Sequence, residues 1–116
     1  MLAGITPLYR GGHGAYWALA EGRPELVGAT IHVVDAGIDT GLALAQPRFE
    51  TTPADSIATY PYLHLAAGLP SPIAAIGQAL VGRQQPLSGM PDLPSRLRFH
   101  PTAWEYRWLR LPRGVR

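Results

Sequence analysis

Apolar positions recur with period in only a few stretches of the 116-residue chain, and twelve prolines and thirteen glycines separate those stretches. The run Gly14 to Glu21, GAYWALAE, reads as a short helix entered through Gly11 and Gly12 and stopped by Gly22 and Pro24. From Gly28 to Val34, Ala29, Ile31 and Val33 alternate with Thr30, His32 and Val34. β-branched residues fill four of these six positions, which predicts a strand buried on both faces. Two aspartates and two glycines in Asp35 to Gly41 are loop chemistry, and Leu42 to Phe49 resumes an extended pattern, so that loop joins two strands. Thr52, with Pro53 behind it and Asp55 three residues on, predicts a capped helix start, and Pro61 is expected to end that helix. Gly68 and Pro70 separate it from a second helix, capped by Ser71 with Pro72 at its first position. An apolar stripe of Ile73, Ile76, Leu80 and Val81 runs along this helix until Gly82 closes it. Gln84 to Pro94 is a loop with three prolines, and no strong periodicity returns until Trp104 to Leu111.

Helices alternating with strands indicate an α/β arrangement, but two to three strands with about three helices do not complete a layered domain. The chain opens on a loop-like GITP instead of an apolar strand feeding a glycine-rich turn. The expectation is therefore the later part of a larger fold, whose unpaired strand edges and apolar faces drive self-association into a homodimer or higher oligomer. At this length there is material for one domain at most. Residues 1–82 form its body, and 83–116 read as a Pro/Arg-rich extension.

Hydrophobic residues at 47% and charged residues at 16% supply a core and exclude the composition of a disordered chain. With no cysteine there is no disulfide, thiolate nucleophile or Cys-based metal site. The four histidines show no ligand spacing, which argues against a metal. No apolar run is expected to reach the roughly 20 residues that span a bilayer, and no basic segment followed by an apolar one opens the chain. The expected location is cytoplasmic and off the membrane.

The net charge is +2 and all ten basic residues are arginines. Six of them, Arg96, Arg98, Arg107, Arg110, Arg113 and Arg116, lie in the last 21 residues with Trp104, Tyr106 and Trp108 among them, and Glu105 is the single acid there. Such a tail can bind phosphates and stack on bases. It can equally pack its aromatics on the body while the arginines extend into solvent. The low overall charge favours the second and argues against a nucleic-acid partner. The GGHG run is a weak phosphate-cradle signal, matching neither G-x-G-x-x-G nor a Walker pattern. Arg10 is the better anion candidate by chemistry, although an arginine after a tight turn is as often a clamp on backbone carbonyls.

GITPLYRG, the HGAYWALAEG that follows and TIHVVDAGIDTGLALAQ stand in the order and at the separations seen in folate-dependent formyltransferases. The stretch Ala3 to Gly82 resembles the family containing glycinamide ribonucleotide, methionyl-tRNA and sugar-amine formyltransferases, with a Rossmann-like catalytic domain, and HPTAWEY resembles the tail of one subgroup. The resemblance implies transfer of a formyl group from 10-formyltetrahydrofolate to a small-molecule amine, with no metal. In that family an Asn and a His supply donors for the developing oxyanion, and an Asp with a water takes the amine proton. By motif match Asp39 is that aspartate. Asp35 and Gly37 flank it in the same loop and, with Arg10 and His13, are the candidates for binding substrate or folate. His13, at a helix entrance in the segment that faces the family's site, is either a substrate contact or a helix-start histidine with local bonds. Asp39 also has a plainer reading, as a turn aspartate bonding its own backbone. His32 reads as structural, held between sheet neighbours.

The match departs from the family at its start. The position of the histidine falls on Leu2 and that of the asparagine ahead of Met1. Leucine cannot donate to an oxyanion, and losing one such donor costs roughly 100- to 1000-fold in rate. The expectation is a formyltransferase-like chain carrying the carboxyl half of the domain and inactive alone. The competing expectation is a non-catalytic oligomeric remnant or a module that binds a folate-like ligand.

Overall fold

The computed structural model describes residues 1–83, 85–87 and 92–115. Two short ladders frame a small core. Strand β1 (Arg10–Gly11) pairs in parallel with β4 (Leu97–Arg98), and β2 (Ile31–His32) pairs antiparallel with β3 (Ala43–Ala45). Four α-helices join them among the described residues: α1 (Gly14–Ala20), α2 (Tyr60–Gly68), α3 (Pro70–Leu80) and α4 (Ala103–Arg113).

Helix α1 is buried at Gly14, Ala15, Tyr16, Trp17, Ala18 and Ala20. Its roughly two turns carry apolar residues all round, as a helix at the centre of a core does. Tyr16 within it and Tyr9, Ile5 and Val27 beside it are wholly enclosed, and each side chain of that size stabilises by roughly 1.5 to 3 kcal/mol on burial. The buried Thr30 explains the loop-like GITP. Its hydroxyl donates to the Gly4 carbonyl at 2.6 Å and accepts from the Thr6 amide at 3.1 Å. Gln46 adds a donation from Nε2 to the Thr6 carbonyl at 2.8 Å. A segment without periodicity is thus fixed by polar bonds to the neighbouring strand, where Leu2 and Thr30 exchange both backbone bonds.

Helix α1 and the β2–loop–β3 hairpin form where the pattern places them. The strand expected over Gly28–Val34 is buried only as far as Ile31; Val33 and Val34 are exposed. Thr52 and Asp55 do bond as a capping pair, with the Thr52 amide and hydroxyl each 2.8 Å from Asp55 Oδ2. No helix follows them. Turns continue to Thr59, and Pro61 sits at the start of α2 instead of ending a helix, because the first turn of a helix needs no N–H from it. For the same reason α3 begins at Pro70, ahead of the expected Ser71 cap.

The two helices abut at Leu69 and together make Tyr60–Leu80, 21 residues with an 18-residue stretch of mean hydropathy 1.2, long and apolar enough to cross a membrane by length and composition. This corrects the expectation that no run reaches that length; Pro61, Pro70 and Pro72 divide the stretch on paper but lie at helix starts in space.

Residues beyond Gly82 join the body through backbone bonds as well as through side chains. Arg10 and Gly12 donate their amides to Arg96 and Arg98 carbonyls at 3.0 and 2.9 Å, and Arg96 donates to Pro7 at 3.1 Å. Trp17 Nε1 donates to the Phe99 carbonyl at 2.9 Å. Thr102 and Glu105 form a reciprocal capping box that starts α4, Tyr106 stacks on Tyr16, and Val115 is buried in the core. These contacts add a strand and a helix to the expected count. The aromatics divide: Tyr106 packs inward, whereas Trp104 and Trp108 are 73% and 72% exposed. Gln84, Ser88 to Pro91, the Arg113 side chain and Arg116 lie outside the described part of the structure.

Candidate functional site

Strand β1 and the loop between β2 and β3 meet residue against residue. The Gly11 amide donates to Asp39 Oδ2 at 3.0 Å, and Arg10 donates from its guanidinium to the Ile38 carbonyl at 2.8 Å. Asp39 takes a left-handed backbone, φ 53°, which aspartate tolerates better than bulkier residues. Its carboxylate thus bonds a residue 28 positions away; bonding to the local backbone falls to Asp35. Asp35 Oδ1 accepts from the Gly37 amide at 3.2 Å, and the Thr40 hydroxyl lies 2.9 Å from both of its oxygens. Asp35 is exposed and ties the loop to itself. Gly37 is required by the same closure, since a Cβ there would lie 2.0 Å from Thr40 Oγ1.

Asp39 and Arg10 line one cleft of about 280 Å³ together with Thr6, Gly41 and Ser95. The cleft wall therefore includes a residue from the segment beyond Gly82. β4 stands behind β1, and Gly11, at φ 85°, leaves room for it: a Cβ would lie 2.3 Å from the Arg98 carbonyl. Glu21 anchors this corner by accepting from the Tyr9 hydroxyl at 2.9 Å and pairing with Arg98, whose guanidinium lies 4.9 Å over the Trp17 ring. Burial raises the Tyr9 pKa, with nearby arginines partly opposing it, so the phenol stays a donor.

His32 is the residue that sequence reading missed. Its Nε2 lies 3.7 Å from Asp39 Oδ1, and its ring is largely covered. Nδ1 lies 3.0 Å from the Val33 carbonyl. A carbonyl only accepts, so this contact needs the proton on Nδ1, and Nε2 is the ring nitrogen that faces Asp39. The signal available in the sequence was the placement of a histidine where the strand runs out, seven residues ahead of Asp39. Alternation alone cannot reveal it.

His13 is not brought to this cleft. It heads α1 with a left-handed backbone, φ 58°, and makes no side-chain cap. Its ring packs edge-on against His100 at 4.4 Å, and it lines a separate cavity of about 240 Å³ with Tyr16, Tyr60 and His64. Burial lowers its pKa and His100 adds to the shift. Leu2 is buried in the backbone pairing with Thr30. Among the described residues no three His, Cys, Asp or Glu side chains gather as a metal site.

Chemically, the cleft offers a carboxylate held by a backbone amide, a guanidinium and hydroxyl groups. Such a set can accept a proton through water and orient a polar substrate. Comparison with known proteins gives this arrangement a context. Residues 3–63 match the family model described as Formyl transferase. Over 42 residues the chain is 52% identical to phosphoribosylglycinamide formyltransferase from Mycobacterium tuberculosis, spanning 36% of this chain and 19% of that protein. Over 65 residues it is 37% identical to methionyl-tRNA formyltransferase from Myxococcus xanthus, spanning 55% and 20%. The fold resembles that of the formyltransferase PseJ from Anoxybacillus kamchatkensis, solved with a formamido sugar nucleotide and tetrahydrofolate. There the TM-score is 0.68 at 20% identity, over 96% of this chain and 56% of the other. It also resembles the N-formyltransferase from Helicobacter canadensis, solved with folinic acid and dTDP-3-aminofucose, with a TM-score of 0.69 at 20% identity over 84% and 35%. The matched segments are about a fifth of each curated relative, and the chain spans about half or less of these solved structures.

Proposed function

Because the chain belongs to the formyl transferase family, we propose that it carries the aspartate side of a site moving a formyl group from 10-formyltetrahydrofolate to an amine. One observation carries the reading: Asp39, the second aspartate of the D-x-G-x-D-x-G loop, is fixed by the Gly11 amide at the edge of a cleft it shares with Arg10. In this role Asp39 accepts the proton of the attacking amine through a water, with His32 beside it. Arg10 holds the loop that presents it. Asp35 and Gly37 shape that loop and do not touch the reactants. The folates bound to the two solved neighbours support a folate co-substrate here.

The other half of the chemistry is donation to the formyl oxygen as it gains charge. Leu2 occupies the position that the resemblance gives to a histidine and carries no donor. We therefore expect the chain alone to bind folate while turning over at least roughly 100-fold more slowly than a site with that donor. Calorimetric titration with tetrahydrofolate and a transfer assay with 10-formyltetrahydrofolate and glycinamide ribonucleotide or an amino-sugar nucleotide test this. Folate binding weakened by Asp39→Asn, without appreciable turnover, is the expected result. Turnover that Asp39→Asn abolishes would overturn the inactivity, and no folate binding at millimolar ligand would overturn the assignment.

A further inference from the structure

Leu69, where α2 meets α3, keeps helical angles of φ −54° and ψ −41°, so Tyr60–Leu80 runs as one rod of 21 residues. Its two faces differ. Tyr60, His64 and Gly68 are buried against the body. With about 100° of rotation per residue, Tyr62, Leu65, Leu69, Ile73, Ile76 and Leu80 fall in one stripe about 80° wide on the other side. Their exposures run from 47% to 83%. At about 100 Å² of apolar surface apiece, the stripe presents roughly 600 Å², the upper end of what a monomer leaves open and near the roughly 800 Å² per partner of a standard interface.

We infer that this stripe is covered by the same stripe of a second copy, the two rods crossing antiparallel about a two-fold axis level with Ser71. Two observations select that occupant. The stripe is nearly palindromic: residues 62 and 80, and 69 and 73, are centred on residue 71, and 65 and 76 on the peptide beside it. An antiparallel pair therefore sets Leu69 against the partner's Ile73 and Tyr62 against the partner's Leu80, as an interface built from one patch twice requires. The rod also contains no Asp, Glu, Lys or Arg, so two copies meet without like-charge repulsion. A bilayer fits less well, because crossing one would strip Tyr60 out of the core cluster and His64 away from Phe49, 4.8 Å from it.

Light scattering on the eluting full chain, with and without Ile73→Glu or Leu69→Glu, tests the inference. The expected mass is twice 12.5 kDa for the unmodified chain. Either variant should give the single-chain mass with an unchanged circular dichroism spectrum, its dimer weakened at least about 100-fold by the buried carboxylates. The chain has no cysteine of its own, so oxidising the double variant Leu69→Cys with Ile73→Cys should yield a cross-linked dimer. A monomeric unmodified chain, a dimer that survives both glutamates, or a chain that stays single in solution and co-floats with phosphatidylcholine–phosphatidylglycerol vesicles would each overturn it.

Discussion

The Asp39 corner and the α2–α3 rod use glycine in opposite ways. At the corner, Gly11 has a left-handed φ of 85° and the Arg98 carbonyl where a Cβ would stand, and at Gly41 a Cβ would lie 1.6 Å from the Val33 carbonyl. On the open face of the rod, Gly77 has nothing within 4 Å of its absent Cβ, while Gly68, on the buried face, would meet the flexible end of the Met1 side chain. One region is set by backbone approaching backbone, residue by residue. The other is set by an apolar periodicity and leaves one face open. The difference teaches that the polar, loop-built part of the molecule is its rigidly specified part, and the regular helix its permissive part.

The sharpest way to break that contrast is Gly11→Ala. It puts a methyl against β4 in an unfavourable backbone region and disturbs the amide that holds Asp39. We expect a loss of about 2 to 4 kcal/mol in chemical denaturation, with folate binding lost in parallel. A loss under about 0.5 kcal/mol would mean that β4 does not press on β1 as described.

The two regions were not equally legible in the sequence. The hairpin, α1 and the loop carrying Asp39 follow from alternation, glycine punctuation and the family motif, because these features are local. The β1–β4 pairing was hidden. Leu97 and Arg98 carry no strand pattern, and their partner is 87 residues away in sequence, Arg10 to Leu97; only tertiary placement creates that strand. The position of His32 beside Asp39, only seven residues on, was hidden because strand alternation does not say how the loop between them folds back. The rod was misread at Pro61 and Pro70, which sequence rules treat as breaks and which the fold uses as first-turn residues, whereas Pro72 was placed near a helix start and stands there.

A second test lies on the border between the regions, where the inner face of α2 meets the body. His64 is buried, packs edge-on against Phe49 and has Nδ1 2.7 Å from the Tyr60 carbonyl. Burial lowers its pKa from 6.5, outweighing its backbone bonds. The unfolded chain therefore binds a proton more readily than the folded one. Stability from neutral His64 is fully present above about pH 6.5 and is lost as pH falls below it toward the folded pKa. Thermal melts at pH 7.5 and pH 5 should show a drop in midpoint on acidification, and His64→Gln should flatten that dependence while lowering stability at pH 7.5. An equally steep dependence in His64→Gln would transfer the effect to other groups and leave the inner face of α2 without its pH-sensitive contact.

The smallest expected effect carries the opposite sign. Gly77→Ala adds a methyl in open space within α3, with no positive φ to strain. Alanine loses less backbone entropy than glycine on entering a helix, so the variant should gain about 0.5 to 1 kcal/mol. Measured at a protein concentration low enough for single chains to dominate, the gain reports helix propensity alone. Measured higher, it adds any effect on the pairing of rods, because residue 77 lies beside the apolar stripe. A gain at both concentrations would place Gly77 outside the paired surface, whereas a gain that reverses on concentrating the protein would place it inside. A loss at low concentration would mean that the space beside Gly77 is occupied within the single chain, and the two regions would then be alike in how closely they are packed.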